Sequence, residues 1–211
     1  LGPDGVAAVA VPTGTPPAGI PMAQAIRSRP FIALYLAGLI ASFGLFVPFV
    51  HLVPYALDHG MSSGQAAFLL GMIGVGSTLG RFFLGGIADR IGRHVSLIGV
   101  YLGMALTLVI WTVSDTLWPL ALFALTFGAF YGGFVALLPA LVMDYFGGRN
   151  VSSIIGVLYT CVALGTLIGP TAAGYLYDLT QSYFAAIVAS IAGNLIAAFI
   201  IAAFSKKPEM P

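Results

Sequence analysis

One arginine stands where the sequence otherwise offers only material for lipid. Arg81 follows Gly76-Ser77-Thr78-Leu79-Gly80 and leads into Phe82-Phe83-Leu84. A charge placed inside a membrane span costs at least about 2.5–3.5 kcal/mol, and such residues usually line a polar path. A guanidinium keeps its charge under all physiological conditions, and its planar fork of donors matches a carboxylate. The chemistry on offer is recognition of a small organic anion. Arg81 precedes Asp89 by two helical turns. At ~1.5 Å per residue it lies about 8–12 Å from the interface, a depth that suits the floor of a central cavity. Two plainer readings stand beside this one: Arg81 snorkels to the headgroups, or it pairs structurally with Asp89 or Asp144.

Weaker lining candidates follow from residue type. Tyr131, beside Gly132 and Gly133, and Tyr159 each carry a hydroxyl that can donate to an anion, or else simply pack. His51 lies among apolar neighbours and offers a proton path, a substrate contact or a bond to a neighbouring helix. Ser77, one turn before Arg81, is the remaining polar candidate.

A second cluster is Gly85-Gly86-Ile87-Ala88-Asp89-Arg90-Ile91-Gly92-Arg93-His94. Glycines allow close helix approach, Asp89 can pair with arginines, and Arg90 and Arg93 suit the headgroup level. Asp144 and Arg149 recur in the next connection on the same side and are able to exchange partners with this cluster. Together Gly85, Asp89, Arg90, Gly92, Arg93, Asp144 and Arg149 read as a charged gate at one membrane face, against the alternative of an ordinary positively charged loop.

The elements that must hold these residues are membrane helices. In 211 residues, 59% are hydrophobic, only 7% are charged, and mean hydropathy is +1.02. Soluble domains carry about 25% charged residues. The composition therefore excludes a soluble enzyme and a nucleic-acid binder. Six apolar segments run from about Pro30 to Leu57, Ser63 to Ala88, Val95 to Val113, Leu117 to Val142, Ser152 to Tyr177 and Tyr183 to Phe204. Each has the length of a helical span, roughly 20 residues. None shows the alternation of a barrel strand. The sequence predicts an all-α integral membrane bundle over 30–204, a flexible cytosolic linker over 1–29 and a cytosolic tail over 205–211. Ser62 and Gln65 predict a capping box, and Asn150 and Ser152 are cap candidates for the fifth helix.

Charge sets the predicted orientation. Arg27, Arg29, Arg90, Arg93, Arg149, Lys206 and Lys207 all fall on one side, and the opposite connections hold only Asp58, Asp115 and Asp178. The positive-inside rule places both termini in the cytosol of a multi-pass protein of the plasma (inner) membrane. No charged n-region precedes an apolar run, so no signal peptide is expected. A faint repeat is visible. Gly85 precedes Asp89 as Gly174 precedes Asp178, and Pro54 precedes Asp58 as Pro139 precedes Asp144, at opposite faces in each case. Chance or two inverted three-helix units would give this. Gly74-Val75-Gly76-Ser77-Thr78-Leu79-Gly80 imitates a dinucleotide fingerprint, but no strand precedes it and no acidic residue follows at the required distance. Cys161 is the only cysteine, and no metal-ligand spacing or nucleophile–base pair appears. No cofactor and no metal are expected.

The G-x-x-x-D-R-x-G-R order from Gly85 to Arg93 resembles the loop signature of the major facilitator superfamily. The segments His51-Leu52-Val53-Pro54-Tyr55-Ala56-Leu57-Asp58-His59-Gly60 and Gly76 to Arg81, with Asp144-Tyr145-Phe146-Gly147 and Gly169-Pro170, are similar to the monocarboxylate transporter and oxalate/formate antiporter group. The resemblance covers about residues 30–204. It implies the C-terminal half of a twelve-helix secondary carrier, with an N-terminal six-helix half as partner and alternating access as mechanism. It also implies Arg81 as the carboxylate site and a small monocarboxylate such as lactate or pyruvate as cargo. Animal members place an aspartate where this sequence has Ser77. A coupled proton would then have to use the other half, His51 or the substrate's own proton. Carriers of a sugar, drug or nitrate, and a non-transporting six-helix receptor or assembly factor, are the rival readings.

Overall fold

A computed structural model describes residues 18–205. The expectations for residues 1–17, Lys206 and Lys207 lie outside that range. Eight helices follow in order: α1 (Met22–Ile26), α2 (Arg29–Leu45), α3 (Val47–Asp58), α4 (Ser63–Ile91), α5 (Arg93–Thr112), α6 (Leu117–Phe146), α7 (Val151–Thr180) and α8 (Phe184–Phe204). Taken together, α2 and α3 form one span, so six apolar spans are present among the described residues. The all-helical bundle read from the composition is the fold observed.

Local sequence explains most helix ends. Ser28 caps α2 through its Oγ, which accepts from the Phe31 amide at 3.3 Å, and Pro30 occupies the first turn. The Ser62–Gln65 capping box forms in both directions. Gly92, at φ +95°, is the whole connection between α4 and α5. A side chain at that φ would be strained.

Four details differ from the sequence expectation. The first span is not continuous. It breaks at Phe46, because Pro48 lacks an amide hydrogen and its ring crowds the carbonyl four residues back. The fifth helix does start after Asn150, but the Asn150 side chain does not cap it. Instead Nδ2 donates to the Ile20 carbonyl at 3.3 Å. Ser152 lies inside the helix, exposed. Asp144 sits on α6 rather than in a loop, since that helix continues to Phe146. Residues 18–28, part of the expected flexible linker, are folded onto the α6–α7 connection. The Ile20 amide donates to the Phe146 carbonyl at 3.1 Å, and the Gly148 amide donates to the Ala18 carbonyl at 3.0 Å.

Helix packing has an internal symmetry. Gly76, Gly80, Gly85 and Asp89 on α4 correspond to Gly165, Gly169, Gly174 and Asp178 on α7, all at one common offset along the chain. The contacts repeat in the same way. The α4–α6 seam has its counterpart in α7–α2, α5–α6 has its counterpart in α8–α2, and α5 packs on α8 across the pseudo-axis. A Cβ added to Gly80 would fall 1.9 Å from the Ala129 carbonyl oxygen, and one added to Gly169 would fall 1.9 Å from that of Phe43. Both seams therefore rest on backbone-to-backbone approach that only glycine permits. Each three-span unit enters and leaves on opposite sides, so the second unit is inverted relative to the first.

The two ends are tied differently. At the arginine-bearing end, His94 Nε2 donates to the Ile201 carbonyl at 3.1 Å and the Tyr145 hydroxyl donates to the Ser205 carbonyl at 2.5 Å. At the aspartate-bearing end, the Tyr55 hydroxyl donates to the Ser114 carbonyl at 2.7 Å. Of the six spans, α4 and α7 are the least buried. Their open sides carry Phe82, Phe83, Leu167 and Tyr175.

Candidate functional site

Arg81 projects from the open side of α4 and is exposed within this chain. It makes no ion pair with any described residue, and Asp89 and Asp144 both pair with Arg93. The structural pairs considered for Arg81 are thus occupied by another partner. The Arg81 guanidinium lies close enough to Tyr131 on α6 for its charge to act on that hydroxyl. Tyr131 stands within electrostatic range of Tyr159 on α7. Arg81, Tyr131 and Tyr159 thus stand on three different helices, α4, α6 and α7.

The break in the first span frames this region. The ring of Phe46, at the break, meets Tyr131 edge-on at 6.0 Å, and Phe49 meets it at 5.0 Å. Further along α7, Thr160 shares a 3.0 Å hydrogen bond with the Tyr35 hydroxyl. Phe46, Phe49, Tyr35 and Thr160 were not singled out from sequence. For the two phenylalanines the missed signal was Gly44 followed by Pro48, which marks a broken helix. For Tyr35 and Thr160 nothing local distinguishes them from packing residues.

Ser77 and His51 occupy other places. Ser77 is buried in the α4–α6 seam, where its carbonyl faces the Gly132 backbone. His51 is buried between α3 and α7, with Nε2 donating to the Pro170 carbonyl at 2.9 Å. Its ring lies 5.2 Å from that of Tyr183. That carbonyl fixes the proton on Nε2 and makes His51 a helix–helix tie. The helix α7 runs through Pro170 without interruption.

The charged cluster forms around one residue. Arg93 donates from Nη1 to Asp144 Oδ1 at 2.7 Å and from Nη2 to Asp89 Oδ1 at 3.3 Å. A longer 3.4 Å contact reaches the Ala140 carbonyl. The pairs join the ends of α4, α5 and α6. All three side chains are partly exposed, so each pair is worth about 1 kcal/mol or less. Arg90 and Arg149 are exposed and have no carboxylate partner among the described residues. A Cβ on Gly85 would meet nothing within 4 Å among the described residues.

A six-span bundle of inverted three-helix units is an architecture from which membrane carriers are built. Residues 23–211 match the Major Facilitator Superfamily model, and the chain belongs to that family, whose members are transporters and not enzymes. It is 38% identical over 167 residues to monocarboxylate transporter 12 of Xenopus laevis, covering 76% of this chain and 36% of that protein. It is 33% identical over 190 residues to monocarboxylate transporter 12 of Mus musculus, covering 86% and 39%. The aspyridones efflux protein apdF of Emericella nidulans is 30% identical over 156 residues, covering 74% and 32%. The chain thus spans well under half the length of these relatives. Among solved structures, the POT family transporter PepTSo superposes with a TM-score of 0.74 at 14% identity, covering 87% of this chain and 39% of that one. The human organic anion transporter MFSD10 (TETRAN) superposes with a TM-score of 0.65 at 17% identity, covering 85% and 47%. These two likenesses bear on the fold alone.

Proposed function

We propose that this bundle is the C-terminal half of a twelve-span secondary carrier for small organic anions, monocarboxylates first among them. The observation that carries the reading is the Arg81 guanidinium, exposed on the side of α4 that the chain leaves uncovered and without an ion-pair partner among the described residues. Arg81 supplies charge and a two-pronged donor for a carboxylate, and Tyr131 and Tyr159 supply single donors beside it. The open faces of α4 and α7 receive the other six-helix half, and the two halves rock about a site between them. The arginine-bearing end faces the cytosol, with both termini there, in the plasma membrane. Similarity to the monocarboxylate transporters supports the substrate class. Similarity to an efflux protein favours export of a larger organic molecule as the second reading. The test is uptake into proteoliposomes from a radiolabelled panel of lactate, pyruvate, a hexose, nitrate and a larger aromatic acid. Transport restricted to the hexose or to neutral solutes would refute the anion reading.

The Arg93 cluster closes the cytosolic end and releases it on inward opening. Asp144 makes the shorter bond, so Asp144→Asn is expected to slow turnover about fivefold, with KM changed less than about twofold, for a lock worth ~1 kcal/mol. Asp89→Asn is expected to do the same more weakly. Steady-state exchange rates check both. Normal turnover in Asp144→Asn, or a change confined to KM, would remove the gate.

A further inference from the structure

At the aspartate-bearing end, far from Arg81, a cavity of about 440 Å³ opens between the ends of α3, α5, α7 and α8. Aromatic rings make up about half of its lining, with Thr112, Gln181 and Ser182 as neutral polar neighbours. Tyr183 is buried, Tyr177 stacks on it at 4.3 Å, and Tyr55 stands 6.0 Å away. Asp58 is the one carboxylate lining it. Its Oδ2 accepts from the Tyr177 hydroxyl at 2.6 Å, and its Oδ1 has no hydrogen-bond partner among the described residues. Among the described residues no lysine or arginine lies at this end, which carries Asp115 and Asp178 as well. The field reaches the rings: burial first, then the charges of Asp58 and Asp178, push the Tyr183 hydroxyl above its ordinary pKa.

An anion would meet Asp58 with no cation to offset it. A hard metal ion needs several oxygen or nitrogen donors, and no group of three or more candidate ligands gathers among the described residues. A cation with an apolar skin satisfies both wall and rim: Asp58 answers its charge, and the stacked Tyr177–Tyr183 and Tyr55–His59 pairs offer apolar contact to its alkyl groups. We propose that this cavity binds a small organic ammonium ion, with Tyr55, Tyr177 and Tyr183 around its alkyl groups and Asp58 neutralising its charge. His59 lines the rim, stacked on Tyr55 at 4.2 Å. The site is independent of the substrate held at Arg81.

Choline and its neutral isostere 3,3-dimethyl-1-butanol distinguish a cation site from a greasy hollow. Calorimetric titration of the full-length protein in lipid nanodiscs at pH 8 is expected to give saturable choline binding. The neutral isostere is expected to bind at least tenfold more weakly. Asp58→Asn is expected to weaken choline at least tenfold. Tyr177→Phe keeps the ring and frees the carboxylate, so choline binding is expected to be retained or tightened. Should Asp58→Asn fail to fold, the isostere comparison and Tyr177→Phe decide the matter. Absent choline binding, equal binding of the isostere, unchanged affinity in a folded Asp58→Asn, or loss in a folded Tyr177→Phe would each overturn the proposal.

Discussion

Arg81→Gln is expected to lower monocarboxylate uptake by about 100-fold or more while membrane insertion stays normal. Truncating one partner of a desolvated charge pair costs roughly 2–5 kcal/mol, and each ~1.4 kcal/mol is tenfold in affinity. Glutamine retains length and a donor but loses the charge and the fork. Arg81→Lys keeps the charge and loses the fork, so an intermediate loss of about tenfold is expected. If Arg81 instead snorkelled to headgroups, both variants would transport nearly as well as the wild type, because a polar or charged tip at the interface is readily replaced. Initial rates in proteoliposomes, normalised to inserted protein, separate the two outcomes.

The second large effect concerns folding. Gly80→Val and Gly169→Val each drive a branched side chain into a facing carbonyl, Ala129 in one seam and Phe43 in the other. The obstacle is backbone, so no rotamer change relieves it. The loss should exceed the usual ~1–3 kcal/mol of core overpacking. Neither variant is expected to give a monodisperse protein on size exclusion. The inverted symmetry predicts comparable damage at the two positions, since they are equivalent sites in the two units. Gly99→Ala is the control, because a Cβ there meets nothing within 4 Å. A well-folded Gly80→Val would mean that the α4–α6 seam is looser than the geometry requires.

Much of this architecture was legible in the residues because lipid imposes one rule on every span. Backbone groups must be satisfied within a helix, so apolar length alone locates the six segments. The glycine and aspartate pairs at the ends of α4 and α7 already held the repeat, although its full extent became clear only when Gly76/Gly80 and Gly165/Gly169 were seen in equivalent seams. The break at Phe46 was missed because hydropathy is blind to a missing amide hydrogen, and Pro48 does not change the apolar character of the run. The docking of residues 18–28 was missed for a related reason. It depends on backbone hydrogen bonds near Gly19 and Gly147 and leaves no hydrophobic pattern.

Side-chain roles were harder to read than the spans. The glycine-rich loop around Asp89 and Arg93 pointed to an ion-paired cluster, and Arg93 forms its hub. Sequence could not show that Asp144 would be the closer partner, because that pairing joins residues on different helices. His51 was open to three roles. Its bond to the Pro170 carbonyl depends on how α3 crosses α7, which no local pattern encodes. Ser77 lies one turn from Arg81 but is turned into the seam by the close approach of Gly132.

The most direct test of the central claim is chemical protection of Arg81. The full-length carrier in proteoliposomes would be treated with phenylglyoxal, which modifies water-accessible guanidinium groups, and the peptide containing Arg81 would be quantified by mass spectrometry. Arg81 is expected to react in the absence of substrate and to be shielded by a saturating monocarboxylate, with no shielding by the corresponding neutral amide. Exposed Arg90 and Arg149 are expected to react equally in all conditions. An Arg81 that stays unreactive while Arg90 is modified, or one that reacts equally with and without the acid, would contradict the carboxylate site.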